Sequence, residues 1–172
     1  MDRVSVPFVE IKKELLNDPE FKEEYDKLKQ EYQVTDELQA LTMELQTLSD
    51  SGRHKKEFEQ KLKRWHELKR QKIITMLQPI LLSIYGDNIA EIISFTADDL
   101  GYVNLALLLD NCTVDTDDNR QVMQEKIEQI EMQENLCGDS IMYWEIDWES
   151  YRKKNCSLYD EVRSGQIVYS RR

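Results

Sequence analysis

The spacing of apolar residues changes character near the middle of the chain. Up to about residue 85 they return every three or four positions, the period of helices with one buried face. In LLNDPEFKEEYDKL, Asp18 is a good N-cap, Pro19 suits the first helical position, and Phe21, Tyr25 and Leu28 follow on one face. A second helical segment opens at Val34 and Thr35. There Leu38, Leu41, Leu45 and Leu48 form a narrow seam suited to a helix partner. The seam spans about two heptads, which fits an intramolecular hairpin better than a dimeric coiled coil, and SDSG at 49–52 ends it. A long helix then runs from about His54 to Leu77, with Phe58, Leu62, Trp65 and Leu68 on one face. Pro79 kinks it or marks its last turn, and Gly86 is the natural C-cap.

Beyond residue 88 the apolar runs shorten. IAEIISF (89–95) and YVNLALLLD (102–110) are bounded by polar turns, as buried strands are. After an acidic loop, Met123, Ile127 and Ile130 keep helical spacing within a segment from Val122 to Leu136, which Gly138 stops. SIMYWEID (140–147) reads as a third strand and QIVYS (166–170) as a short strand or extended tail, with a helical or irregular stretch between. This order predicts an α+β fold, with a helical arm over 1–52 and a small sheet domain over 53–172 entered by the long helix.

Charge sharpens that picture. The net charge of the 172 residues is −11, yet 53–72 carries +6, and 98–149 carries −12 with only Arg120 and Lys126 opposing fourteen acids. Such a field repels nucleic acid and draws in a basic protein. The basic helix lacks the interleaved aromatics of a nucleic-acid surface. No apolar run approaches the roughly 20 residues that span a bilayer, and the N-terminus has no secretory pattern, so a cytosolic protein without a membrane partner is expected. Cys112, Cys137 and Cys156 are dispersed and read as reduced thiols; His54 and His66 lie far from them, which argues against zinc. DTDD at 115–118 lacks the glycine and closing glutamate of a calcium loop.

The succession YGDNIAEIISF, YVNLALLLD, helix, IMYWEIDWESYRKKNCSLYDEVRSGQIVY resembles the minimal nucleotidyltransferase domain of bacterial toxin–antitoxin systems, over about residues 70–170. The resemblance implies a mixed sheet of nucleotidyltransferase type flanked by helices. In that family a glycine–serine loop follows the first strand, and two aspartates open the second. With a third carboxylate they hold the magnesium ions that neutralise a triphosphate. Here Thr96 and Ala97 replace the glycine and serine, and Tyr102 and Asn104 replace the aspartates. The remaining carboxylates nearby are Asp98, Asp99 and Asp110, with Glu145 or Asp147 in the place of the third. FVEIKKELLNDPEFKEEYDKLKQEYQV is in turn similar to the opening helices of HigA-type antitoxins, although no helix-turn-helix pattern follows Thr35.

These resemblances imply an antitoxin-like protein with a catalytically degenerate domain and no cofactor. It would neutralise a cognate basic toxin by direct binding, through Leu38, Leu41, Leu45 and Leu48 or through Trp144 and Trp148. One alternative is an active enzyme that modifies its toxin with ATP and magnesium through the remaining carboxylates. The other is an acidic mimic of nucleic acid that blocks a DNA-binding enzyme.

Overall fold

A computed structural model describes residues 12, 15–51, 54–95, 102–112, 117–136 and 140–171. The chain divides into two compact units, Met1–His54 and Lys55–Arg172.

The first unit is dominated by one helix, α1 (Pro19–Ser51). Asp18 caps it as its sequence suggests: Oδ1 accepts from the backbone N–H of Glu20 at 2.9 Å and of Phe21 at 3.3 Å. The break expected at Val34–Thr35 does not occur. Two β-branched residues cost a helix only tenths of a kcal/mol, and no glycine or proline interrupts residues 20–51. The leucine seam is the least exposed stripe of α1, with Leu38 buried and Leu41, Leu45 and Leu48 half-buried. Phe21 and Leu28, expected on a packed face, are 37% and 47% exposed.

The second unit is an α+β domain. It begins with α2 (Lys55–Tyr85), which continues six residues beyond Pro79. Pro79 has no N–H to offer and sits on the exposed side, where that loss is tolerated. Gly86 ends the helix in the left-handed region at φ +54°, as expected of a C-cap glycine. After a 3₁₀ turn (Gly86–Asn88) come β1 (Ile89–Phe95), β2 (Val103–Leu109), α3 (Asp117–Gln133) and β3 (Ile141–Asp147). Two short helices, α4 (Trp148–Arg152) and α5 (Tyr159–Arg163), precede β4 (Gln166–Ser170).

α3 begins five residues before the expected Val122 and ends before the expected Gly138, which lies outside the described residues. The stop is Asn135, in the left-handed region at φ 52°. Leu136 N–H reaches back to the Glu131 carbonyl at 2.8 Å, and Asn135 N–H to the Met132 carbonyl at 3.3 Å. This pair of bonds closes a helix whose terminal residue tolerates positive φ.

The four strands form one mixed sheet in the order β3-β2-β1-β4. β1 is antiparallel to β2 and to β4, while β2 is parallel to β3, with α3 as the crossover. On one face α2 and α3 supply Ile73, Leu77, Leu81, Met123, Ile127 and Ile130 against Ile92, Leu105 and Leu107. On the other, Ile93, Phe95, Ala106, Leu108 and Ile146 pack under Val162, Trp148, Tyr151 and Leu158. β2 is therefore buried on both sides along its whole length, which its unbroken apolar run requires.

The return into β4 is tight. A Cβ on Gly165 would lie 2.6 Å from the Ser94 carbonyl oxygen and 2.7 Å from Ile93 Cγ2. Gly165→Ala is expected to cost about 1–3 kcal/mol, the usual penalty of overpacking against a backbone that must shift. A lowered urea midpoint with unchanged slope would register it.

Candidate functional site

The end of the sheet where β1 stops and β2 starts is where the sequence places its altered motif. Thr96, Ala97, Asp98 and Asp99 lie outside the described residues. Tyr102 is half-buried just before β2, and Asn104 is sealed, with 1% of its surface exposed. Neither Oδ1 nor Nδ2 of Asn104 has a hydrogen-bond partner among the described residues. An unpaired buried amide of this kind costs about 1–3 kcal/mol.

The register decides which carboxylates share its face. Asn104 pairs with Phe95 on β1 and with Met142 on β3, so residues 142, 144 and 146 look the same way. Glu145 pairs with Leu107 and Asp147 with Leu109, which puts both on the opposite face. Asp110 is six residues along from Asn104, about 20 Å at the rise of a strand. It is held there by Arg171 in an ion pair, and its N–H donates to the Asn88 carbonyl at 2.9 Å. The sheet therefore does not gather the described carboxylates of the motif into one site. Among the described residues, no group of three His, Cys, Asp or Glu side chains is placed to hold a metal ion.

Both candidate third carboxylates have structural partners. Asp147 caps α4, accepting from Ser150 N–H at 2.8 Å, and these hydrogen bonds from Ser150 hold its carboxyl below the ordinary range. Glu145 has a side chain 8% exposed and accepts from the Tyr85 hydroxyl at 2.5 Å and from Arg120 Nη2 at 3.1 Å. Burial, followed by hydrogen bonds with Glu145 and Tyr143, pushes the Tyr85 phenol above its usual range. Tyr85 thus stays a neutral donor to the carboxylate. Nothing in the local sequence marks Tyr85 or Arg120 as a partner of Glu145, since they lie 60 and 25 positions away from it.

Tyr143, Trp144 and Glu145 line a groove of about 560 Å³ together with Arg120, Gln121 and Gln124 of α3. Three consecutive residues of one strand point to alternate faces, so a groove that touches all three runs along the strand's outer edge. Among the described residues, that edge of β3 is the unpaired side of an outermost strand. Gln121 and Gln124 donate to Glu125 at 3.2 Å and to Glu128 at 3.1 Å, exposed acids one turn along α3 from the groove. Trp144 packs against Phe95 with ring centroids 5.3 Å apart and planes tilted by 48°, and Trp148 stacks on Tyr151 at 6.1 Å. Of the two tryptophans only Trp144 lines the groove; Trp148 packs in the second core.

The acidity of 98–149 is partly internal. Glu131 accepts from the N–H groups of Ser140 and Ile141 at 2.8 and 3.1 Å, and Glu134 is bound by Lys69 and Lys72 at 2.8 and 2.7 Å. With Glu145, Asp147 and the Arg171-bound Asp110, five of the fourteen acids have partners of this kind among the described residues. Asp118, Glu125, Glu128 and Glu149 are exposed and contribute to the field outside.

No protein-family model, curated protein or solved structure matches this chain. No helix among the described residues is long and apolar enough to cross a membrane.

Proposed function

We propose that this is a non-catalytic, antitoxin-like protein of the cytosol that binds and occludes a basic bacterial toxin. The observation that carries this reading is the edge of β3, unpaired among the described residues, with its groove, Trp144 on the wall, and Glu125 and Glu128 as rim acids one turn further along α3. An extended segment of the toxin would add a strand to that edge, its main chain supplying hydrogen bonds. Basic side chains of the segment would meet the rim acids, which speed encounter more than they tighten the complex. The nucleotidyltransferase-like succession of elements supplies the toxin–antitoxin setting. The separation of Asn104 from Glu145 on opposite faces weighs against metal-assisted transfer.

Co-expression with a panel of basic bacterial toxins is expected to rescue growth for the cognate one and to copurify it. Glu125→Lys combined with Glu128→Lys should slow association about tenfold at low salt, measured by surface plasmon resonance. Failure to rescue or copurify any toxin would remove the reading. Label transferred from ATP in the presence of magnesium would favour the enzyme instead.

A further inference from the structure

A second cavity lies on the far side of the sheet from the β3 edge. It has a volume of about 520 Å³ and opens between α2 and the β1–β4 pair. Arg70 projects into it from α2, Ser94 and Gln166 face it from a cross-strand pair, and Ile74 and Val168 form apolar walls. Gly165 also lines it; the methyl group that it lacks would strike the Ser94 carbonyl and Ile93 rather than enter the cavity. The size falls within the range of small-molecule sites, and the mixture of apolar wall and few polar groups is typical of them.

Arg70 is the unusual member. Its Nε is buried and has no hydrogen-bond acceptor among the described residues. The neighbouring bases behave differently: Lys69 and Lys72 are both bound by Glu134, and Arg64 lies 3.9 Å from Glu67. Glu67 is the acid of the cavity wall, and its carboxylate is paired with Arg64. A guanidinium presents Nε–H and one Nη–H as a parallel fork that matches a carboxylate or phosphate oxygen pair.

We infer that this cavity binds a small organic anion, a carboxylate or phosphate group on an apolar body, with the Arg70 fork on the anion. Ser94 and Gln166 supply neutral donors beside it, and Ile74 and Val168 receive the apolar part. The feature of this site that points to a ligand is a guanidinium whose buried Nε has no acceptor among the described residues.

The test uses the full chain with benzoate, phenyl phosphate, inorganic phosphate and neutral benzyl alcohol as probes, followed by calorimetry and by NMR. Binding is expected for benzoate or phenyl phosphate, and the comparison of the two identifies the head group. Benzyl alcohol should not bind, and inorganic phosphate should bind more weakly than phenyl phosphate if that is the preferred probe. Arg70→Gln should weaken binding at least tenfold, and Arg70→Lys, which keeps the charge without the fork, should fall between. His66 gives an independent readout. Its imidazole is held below its usual pKa of 6.5 by burial and then by the Arg70 charge one turn away. An anion on Arg70 should therefore move the His66 titration upward in the wild type and leave it unmoved in Arg70→Gln. Absence of binding by both aromatic anions, equal binding of benzyl alcohol, or undiminished binding in Arg70→Gln with native melting behaviour would overturn the assignment.

Discussion

Asn104→Asp is expected to remove about 4 kcal/mol of stability at neutral pH. The change puts an acid where the side chain is buried and has no hydrogen-bond partner among the described residues. Full burial raises a carboxyl pKa by as much as 3–5 units. Protonation caps the cost at pH 7 at about 4 kcal/mol, 1.36 kcal/mol for each unit between the unfolded value and pH 7, a large part of the stability of many domains. The sign follows from linkage. Because the folded pKa lies above the unfolded value of about 3.9, the penalty vanishes below that pH and grows as pH rises toward the folded value. Urea unfolding at pH 7 and near pH 3.5 separates this from a purely steric defect, which would not recover in acid. Asn104→Leu is the companion experiment. It removes two unsatisfied polar atoms and should stabilise by about 1–3 kcal/mol. A stable Asn104→Asp protein that binds magnesium at pH 7 would reinstate the enzyme reading.

Glu134→Ala should produce the second large effect, a loss of about 3 kcal/mol, the lower end for breaking a buried pair. The Glu134 side chain is 5% exposed and holds two lysines of α2, Lys69 and Lys72, to the end of α3. Lys69 also donates to the Glu134 carbonyl at 2.9 Å, a bond that the substitution leaves in place. The lysine side chains are 14% and 29% exposed, so each reaches water when its partner is gone, which limits the cost. Burial raises the Glu134 pKa, but the bonds from Lys69 and Lys72 outweigh it and the net direction is below 4.5. Its contribution is therefore complete above pH 4.5 and disappears as pH falls through the lower folded value. In Glu134→Ala that part of the acid unfolding limb should be missing. An unchanged limb would show that the pair does not tie the helices together.

Much of the fold was legible because it is locally encoded. β1 was readable to the residue, and β2 to within one residue at each end, because polar turns bound unbroken apolar runs. The cap at Asp18 and the left-handed glycine at 86 follow from side-chain chemistry within a few positions. Helix ends set by tolerance rather than preference were missed: Asn135 stops α3 although a glycine stands three residues later. The site was less legible. Whether Glu145 faces Asn104 depends on the parallel register of β2 and β3, which a one-residue slip would reverse. The Tyr85–Glu145 and Lys69–Glu134 bonds join residues 60 and 65 positions apart. Nothing in a helical or strand period announces such a meeting, and the cavity at Arg70 needs three separate elements to exist.

The sheet order also sets a timetable. β1 pairs on one side with β2, which follows it at once, and on the other with β4, whose first residue comes 71 positions after the last of β1. At a ribosomal rate of about 5–20 residues per second, the outer edge of β1 waits roughly 4–14 s for its native neighbour. During that interval it is an open template, and the tail of a second nascent copy fits it as well as its own does. Exchanged-tail dimers are thus the misassembly this topology favours, and slower translation of the residues between β3 and β4 would increase their share.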